Sequence, residues 1–298
     1  MLKLYSSNGV ESPIVFAMRN WRMRNRFRRK LGYVGNFEQP QTFEEKIQFR
    51  KLYGNHKRYA MMADKYRVRQ YVTERVGKQY LVPLLGVYDR LTPDIFADLP
   101  DRFIIKANHG CKWHKIVWDK SALDVASTIR YFNRLMKKRY GRSSGEYHYK
   151  LIEPKIVIET LLVDGDDSPV DYSLFCYHSE AGFDYAVTIS TPRYETIVHF
   201  DKHWNIVEGE FTAEQYAKYV RPENFDQMLR IAEALSQGFD FIRIDLYNLD
   251  GRIYFGEATC TPGGGLGPAK DPRFSQIRTE MWKLDTENEQ LYQKKKSA

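Results

Sequence analysis

The chain has 298 residues, with 46 Lys and Arg against 38 Asp and Glu and 43% apolar residues, a globular composition. An aromatic content of 14% and a charged content of 28% exclude a disordered or low-complexity chain, and no run approaches the roughly 18 to 20 apolar residues of a membrane span. Cys111, Cys176 and Cys260 are widely separated and form no C-x-x-C pair; with an arginine-rich start and no apolar leader, the expected location is the cytosol.

Charge is distributed unevenly. Residues 1–70 carry 16 Lys and Arg against 5 Asp and Glu, a net +11, whereas residues 71–298 carry 30 against 33. Ser12-Pro13 reads as a helix start and Gly32 as its stop. Between them Arg19, Arg22, Arg26 and Arg29 share one face and Phe16, Met23, Phe27 and Leu31 another, giving a basic amphipathic helix. That face is either a solvated surface or a contact for acidic lipid, a polyanionic glycan or nucleic acid. A second helix is expected from Thr42, where Thr42-Phe-Glu-Glu45 resembles a capping box, to Leu52, and a third from Met62 to Val76.

From Tyr80 the period shortens. Strands are expected at Phe103–Lys106, Lys115–Trp118, Lys155–Glu159, Tyr172–Tyr177, Tyr185–Ile189 and Thr196–Phe200, interrupted by helices at Ala122–Tyr140, capped by Ser121, and Glu223–Ser236. The pattern is α+β rather than a regular βαβ repeat.

Three segments carry candidate chemistry. Phe241 to Gly265 reads as a hairpin around Asp250-Gly251, with Arg243, Asp245 and Tyr247 on one face of its first strand and Phe255, Glu257 and Thr259 forming one set on its second. A three-residue loop of Leu249, Asp250 and Gly251 would place Arg243 opposite Glu257, with Asp245 a diagonal away, and so gather the two carboxylates. Gathered carboxylates call for a cation, and magnesium suits oxygen donors; the alternative is a surface hairpin with a salt-bridge ladder. In the second segment Lys106 ends a strand before the loop Asn108–Lys115, whose Gly110 region can cradle phosphate. His109, Cys111 and His114 also resemble metal ligands but have no second paired motif. In the third segment Glu159 ends one strand and Asp171 begins the next, a hinge able to meet a purine edge and ribose hydroxyls, or simply solvated acids.

In this order the segments resemble the ATP-grasp superfamily, and within it the TupA-like branch named for teichuronopeptide biosynthesis. The resemblance rests on Thr42-Phe-Glu-Glu-Lys-Ile-Gln-Phe-Arg-Lys-Leu-Tyr53, Ala63-Asp-Lys-Tyr-Arg-Val-Arg69, Leu84-Leu-Gly-Val-Tyr88, Lys106-Ala-Asn-His-Gly110, Lys155–Glu159 and Tyr254-Phe-Gly-Glu-Ala-Thr-Cys-Thr-Pro-Gly-Gly-Gly265, and covers about residues 40–270. It implies an ATP-grasp fold of two α+β lobes enclosing ATP: a basic helical region at 1–80, a first lobe at 81–157 and a second at 158–298. Lys106 and Lys65 would contact phosphate and the Asn108–Lys115 loop, with His109 and Gly110, would cover it. Glu159 and the backbone of Leu161 and Leu162 would meet adenine, and Asp171 the ribose. Asp245 and Glu257 would hold magnesium, with Thr259 standing where many relatives have Asn, and Arg243 would stabilise the transferred phosphoryl group. Amides of Gly263, Gly264 and Gly265 could join Arg243 at an oxyanion; the glycine run otherwise reads as a flexible turn.

The implied chemistry joins a carboxylate to an amine through an acyl phosphate, with a uronic acid of a cell-surface polysaccharide and an amino acid or amino sugar as expected substrates. The N-terminal helix could touch the inner face of the membrane, and no nucleic acid is expected as a partner. The rival readings are an ATP-dependent phosphotransferase on a glycan, a glycosyltransferase, and a nucleic-acid-binding protein using the basic N-terminal region.

Overall fold

The computed structural model describes residues 13–191, 197–207, 219–267 and 272–293. Helix α1 (Pro13–Leu31) runs as the sequence predicts; Ser12, its expected cap, lies outside the described residues. Met23 and Phe27 are buried with Phe37 and Leu52, so the apolar stripe docks on the body. Arg19 leaves the expected basic face: it is 5% exposed and donates to the Leu52 carbonyl at 3.0 Å.

Helix α2 (Phe43–Tyr53) begins at the capping box, Thr42 accepting from the Glu45 amide and Glu45 from the Thr42 amide. The single helix expected over Met62–Val76 is instead two, α3 (His56–Ala63) and α4 (Val68–Arg75). Asp64 causes the break, because its Oδ1 accepts from the amides of Tyr66 and Arg67 and competes with the helical pattern.

Two antiparallel sheets follow. The first has the order β1-β4-β2-β3, from β1 (Leu84–Tyr88), β2 (Phe103–Ala107), β3 (His114–Val117) and β4 (Ile156–Thr160). Strand β1 was not expected as a strand; it is short, lies at the edge and carries a register irregularity between Leu84 and Gly86. Alternation sends Phe103, Ile105, Ala107, Ile156 and Ile158 into a core with Phe132 and Leu135 of α5 (Val125–Leu135). That leaves Lys106 and Glu159 on the opposite face, since Ile104 pairs with Glu159 and Lys106 with Val157. Asp124, not Ser121, caps α5, accepting from the Ser127 amide at 2.8 Å; Ser121 is held by Asp119 in the preceding turn.

The second sheet has the order β7-β6-β5-β8-β9, from β5 (Asp171–Ser179), β6 (Gly182–Ser190), β7 (Ile197–Phe200), β8 (Phe241–Leu249) and β9 (Arg252–Thr259). One face, with Leu174, Cys176, Val187, Ile242 and Ile244, packs on α3, α4 and α6 (Phe225–Ser236). The other changes character along its length. Phe175, Tyr177 and Phe241 are buried against Phe43, Ile47 and, from α7 (Pro272–Met281) and just beyond it, Phe274 and Trp282, whereas Asp171, Ser173, Arg243 and Asp245 form a polar end.

Polar residues of α2 tie these parts together. Arg50, fully buried, donates to the carbonyls of Phe241 at 2.7 Å and Cys260 at 3.0 Å, pairs with Asp240 and lies over the Trp282 ring at 4.4 Å. Gln48 donates to the carbonyls of Gly264 and Gly265, and Lys51 to those of Ser144 and Gly264. Burial pushes the Lys51 amine down to about 7, and the two carbonyls accept as many hydrogens as the neutral amine can donate.

Two outcomes follow from these buried cations. Arg50→Met strands the Asp240 carboxylate, and urea unfolding should show a loss of about 3–5 kcal/mol; a loss under 1 kcal/mol would mean the clamp is dispensable. For Lys51 the folded pKa lies below the unfolded one, so the unfolded chain binds more protons between about pH 7 and pH 10 and stability rises with pH across that window. Lys51→Met should flatten that rise relative to wild type; identical slopes would contradict the burial of a titrating amine.

Candidate active site

The hairpin departs from the expected loop. Asp250 and Gly251, with φ of 50° and 77°, form a two-residue turn that pairs Leu249 with Arg252, so the three-residue loop is wrong. The carboxylates are gathered by another device. Pairing runs regularly to Leu246↔Phe255 and then shifts, so that Asp245 opposes Glu257 and Arg243 opposes Thr259. Gly256 is the extra residue of this bulge. Without the shift, Glu257 would pair with Ile244 and point into the apolar core. A Cβ at Gly256 would lie 3.1 Å from the Tyr247 ring and 3.2 Å from the Asp245 carbonyl. An isolated glycine within a strand pattern is the sequence signal that marks such a bulge.

Arg243 grips Asp245 with two hydrogen bonds, Nε to Oδ1 at 2.7 Å and Nη2 to Oδ2 at 2.5 Å, and its Nη2 lies 3.8 Å from Glu257. Thr259 donates to Glu257 at 2.6 Å. Asp171, expected at the ribose, stands on the same face as Asp245, two pairs along the β5–β8 ladder. Its Oδ1 is buried with no hydrogen-bond partner. Burial and the neighbouring Asp245 push its carboxyl well above the usual range; burial also raises Asp245, against the pull of Arg243. Glu257 goes the other way, because Lys65, Arg243 and the Thr259 hydroxyl outweigh its own desolvation.

From the first sheet, Lys106 reaches the same field, and its charge also lowers Glu257. Lys106 Nζ pairs with Glu159 at 2.7 Å, and Arg69, which sequence reasoning missed, takes the other oxygen at 2.6 Å. Glu159 is thus 6% exposed, with each carboxylate oxygen held by one cation. Leu161 is buried and Leu162 half-buried just beyond the end of β4. The helix break at Asp64 places Lys65 where its Nζ donates to the Gly110 carbonyl at 3.1 Å and stands 3.7 Å from Glu257, linking the loop to the hairpin.

The loop itself corrects one expectation. The His109 ring is 2% exposed and its nitrogens face Asn108 and the Leu135 carbonyl, so the side chain is built into the body. Gly110 is required by packing, since a Cβ there would sit 2.4 Å from the Trp113 ring. Nor is the glycine run a flexible turn. Gly263, Gly264 and Gly265 all take φ near +60°, the carbonyls of Gly264 and Gly265 are held by Gln48 and Lys51, and the Gly264 amide is spent on the Thr261 carbonyl, which removes it as an oxyanion donor.

The oxygen set suits a hard divalent cation: Asp245, Glu257, the Thr259 hydroxyl and the partnerless Asp171 Oδ1. No three His, Cys, Asp or Glu among the described residues converge to hold an ion alone. Two carboxylates with the rest of the shell left to phosphate and water is the arrangement magnesium favours. His109, Cys111 and His114 are likewise not gathered into one cluster, and both His109 ring nitrogens face other partners.

The TupA-like ATPgrasp family profile matches residues 45–281. The chain belongs to that family. Membership supports an ATP-binding enzyme of the ATP-grasp superfamily. Among curated proteins none matches. Among solved structures, the chain is similar to D-alanine-D-alanine ligase from Helicobacter pylori, with 13% identity, a TM-score of 0.44 and coverage of 75% of this chain and 62% of that one. It is similar to D-alanyl-alanine synthetase A from Vibrio cholerae O1 biovar eltor str. N16961, with 13% identity, a TM-score of 0.46 and coverage of 77% and 63%. It is also similar to L-amino acid ligase from Bacillus licheniformis, with 12% identity, a TM-score of 0.43 and coverage of 69% and 44%. The chain spans less than two thirds of the length of each of these three proteins.

The crowding of acids on this face gives a stability test. Asp171→Asn replaces a carboxyl whose ionisation burial and Asp245 oppose, and should raise the melting temperature of the metal-free protein at pH 8 by roughly 2–4 °C. An unchanged or lower value would show that Asp171 is not under electrostatic strain.

Proposed function

We propose that the chain binds magnesium and ATP between its two sheets and joins a carboxylate to an amine, releasing ADP and phosphate. The two lobes of this reading are those expected at residues 81–157 and 158–298, with the boundary moved past Thr160 because β4 belongs whole to the first sheet, and the basic helical region precedes them. The observation that carries it is the bulge that aligns Glu257 with Asp245 on a face shared with Arg243, opposite Lys65 and Lys106.

In this reading an oxygen of the acceptor carboxylate attacks the γ-phosphorus, the bond to the β–γ bridging oxygen breaks, and ADP leaves from an acyl phosphate. Lys106 and Lys65 neutralise the phosphate oxygens and orient the chain for in-line transfer. Lys106 is held ready by Glu159, which Arg69 fixes in place. Arg243, whose fork is already oriented by Asp245, meets the negative charge on the phosphoryl group in flight. The amine nitrogen then attacks the acyl carbon, phosphate departs, and the amine's excess proton goes to solvent. Asp245 and Glu257 would hold magnesium, with Thr259 at the third position; bound there, the ion supplies charge neutralisation across the phosphates.

The acceptor in this reading is a uronic acid of a cell-surface polysaccharide or its precursor, and the amine an amino acid or amino sugar. The site of action is the cytoplasmic side of the membrane. No helix among the described residues is long and apolar enough to cross a membrane. Peripheral contact is supported by Ile14, Met18 and Trp21, which are exposed along α1 beside its arginines.

Lys106→Ala, Asp245→Asn and Glu257→Gln should each lower ATP turnover at least about 100-fold, while circular dichroism shows the native secondary structure retained. Magnesium with a non-hydrolysable ATP analogue should raise the melting temperature of wild type but not of Asp245→Asn. Free phosphate release that requires both carboxylate and amine marks a ligase; phosphate transferred to a glycan hydroxyl with no amine present would mark a phosphotransferase and overturn the reading.

A further inference from the structure

A cavity of about 1080 Å³ opens between α1 and the segment 139–147. Arg22, Arg26, Arg28 and Arg29 line it from the helix, and Arg139 and Arg142 from the opposite wall. No Asp or Glu is among its described lining residues. Arg22, Arg29, Arg139 and Arg142 are exposed, and Arg26, half-buried, gives Nη1 to the Ser143 carbonyl at 2.6 Å while its buried Nε has no partner. Six guanidinium groups lining one concavity repel one another and favour bound anions, and a cleft lined by one sign of charge concentrates such ligands.

The cavity also adjoins the nucleotide-side elements. Trp113 of the 108–115 loop forms part of its wall. Ser144, another lining residue, donates to Glu146 at 2.6 Å, and Glu146 accepts from Thr261 at 2.7 Å at the entry to the glycine turn. Lys51 bonds both the Ser144 and Gly264 carbonyls, so the cavity wall and the turn are one rigid unit.

We propose that this cavity is the acceptor site, holding a flexible chain that bears several carboxylate or phosphate groups and presenting one anionic end toward the glycine turn. Its role as acceptor site rests on the ligase reading; its preference for polyanions does not. Trp21 and Trp113 line the same space and offer flat apolar faces between the charges, which suits ring-containing anions such as acidic oligosaccharides. Bidentate guanidinium contacts suit carboxylate and phosphate alike.

The test is calorimetric titration of the full chain with three probes: a hexameric oligogalacturonate, an inorganic polyphosphate of similar length, and vesicles containing phosphatidylglycerol. At least one soluble polyanion should bind wild type and bind at least tenfold more weakly to Arg29→Ala/Arg142→Ala and, separately, to Arg22→Ala/Arg139→Ala, two exposed pairs whose melting temperatures verify folding. Which soluble probe binds identifies carboxylate or phosphate as the anion. Absence of binding by both, equal binding by the variants, or binding to vesicles alone overturns the proposal. A parallel titration of wild type with magnesium and an ATP analogue keeps the two readings apart: arginine-dependent polyanion binding without nucleotide binding overturns the ligase reading and leaves the cavity assigned, and the reverse overturns the cavity alone.

Discussion

The Arg50 clamp is the contact on which the rest of the molecule depends. Strands β8 and β9 carry Arg243, Asp245, Glu257 and Thr259, and the end of the hairpin remote from its turn must be closed for those side chains to keep their spacing. Arg50 closes it by bonding the carbonyl of Phe241, at the start of β8, and that of Cys260, just past the end of β9. The guanidinium is fully buried, so Asp240, Tyr292 and the Trp282 ring complete its environment. The same helix turns Gln48 and Lys51 toward the glycine turn. Helix α2 is therefore less a part of a separate N-terminal region than the frame on which the hairpin is mounted.

That frame explains why the Thr42–Tyr53 motif reads as it does. Its polar residues are too many for a buried helix and would be costly there without acceptors. Each of Gln48, Arg50 and Lys51 instead meets backbone carbonyls that irregular structure leaves unpaired. The site's electrostatics build on this rigidity. Three acids crowd one face against Arg243 and Lys65, and the balance leaves Asp171 and Asp245 reluctant to ionise while Glu257 ionises readily. A face in that condition is short of positive charge, which a divalent ion and its phosphate ligands would redress.

Most regular elements were legible in the sequence because they are locally encoded: the α1 stripe, the α2 capping box and the alternation of β2, β4, β5 and β8. What escaped was set by competition or by tertiary contact. Asp64 breaks a helix that periodicity alone would continue, Asp119 takes Ser121 away from its cap, and β1 has too little apolar alternation to stand out from a loop. At the site, strand alternation displays Arg243, Asp245 and Glu257, whereas the device that aligns them is the bulge at Gly256 and not the turn type. The resemblance places Glu159 and His109 at the nucleotide; the ion pairs of Glu159 with Arg69 and Lys106 and the burial of His109 against α5 are tertiary contacts that local sequence does not display. The grouping of Arg22, Arg26 and Arg29 was visible, but not the opposing Arg139 and Arg142, whose approach only the fold supplies.

The account stands most directly on where a nucleotide sits. A crystal structure with magnesium and a non-hydrolysable ATP analogue should show the triphosphate between the sheets, Lys106 and Lys65 on its oxygens, and the cation between the phosphates and the carboxylates of Asp245 and Glu257. A nucleotide bound elsewhere, or a hairpin whose two carboxylates face solvent while the analogue is present, would contradict it.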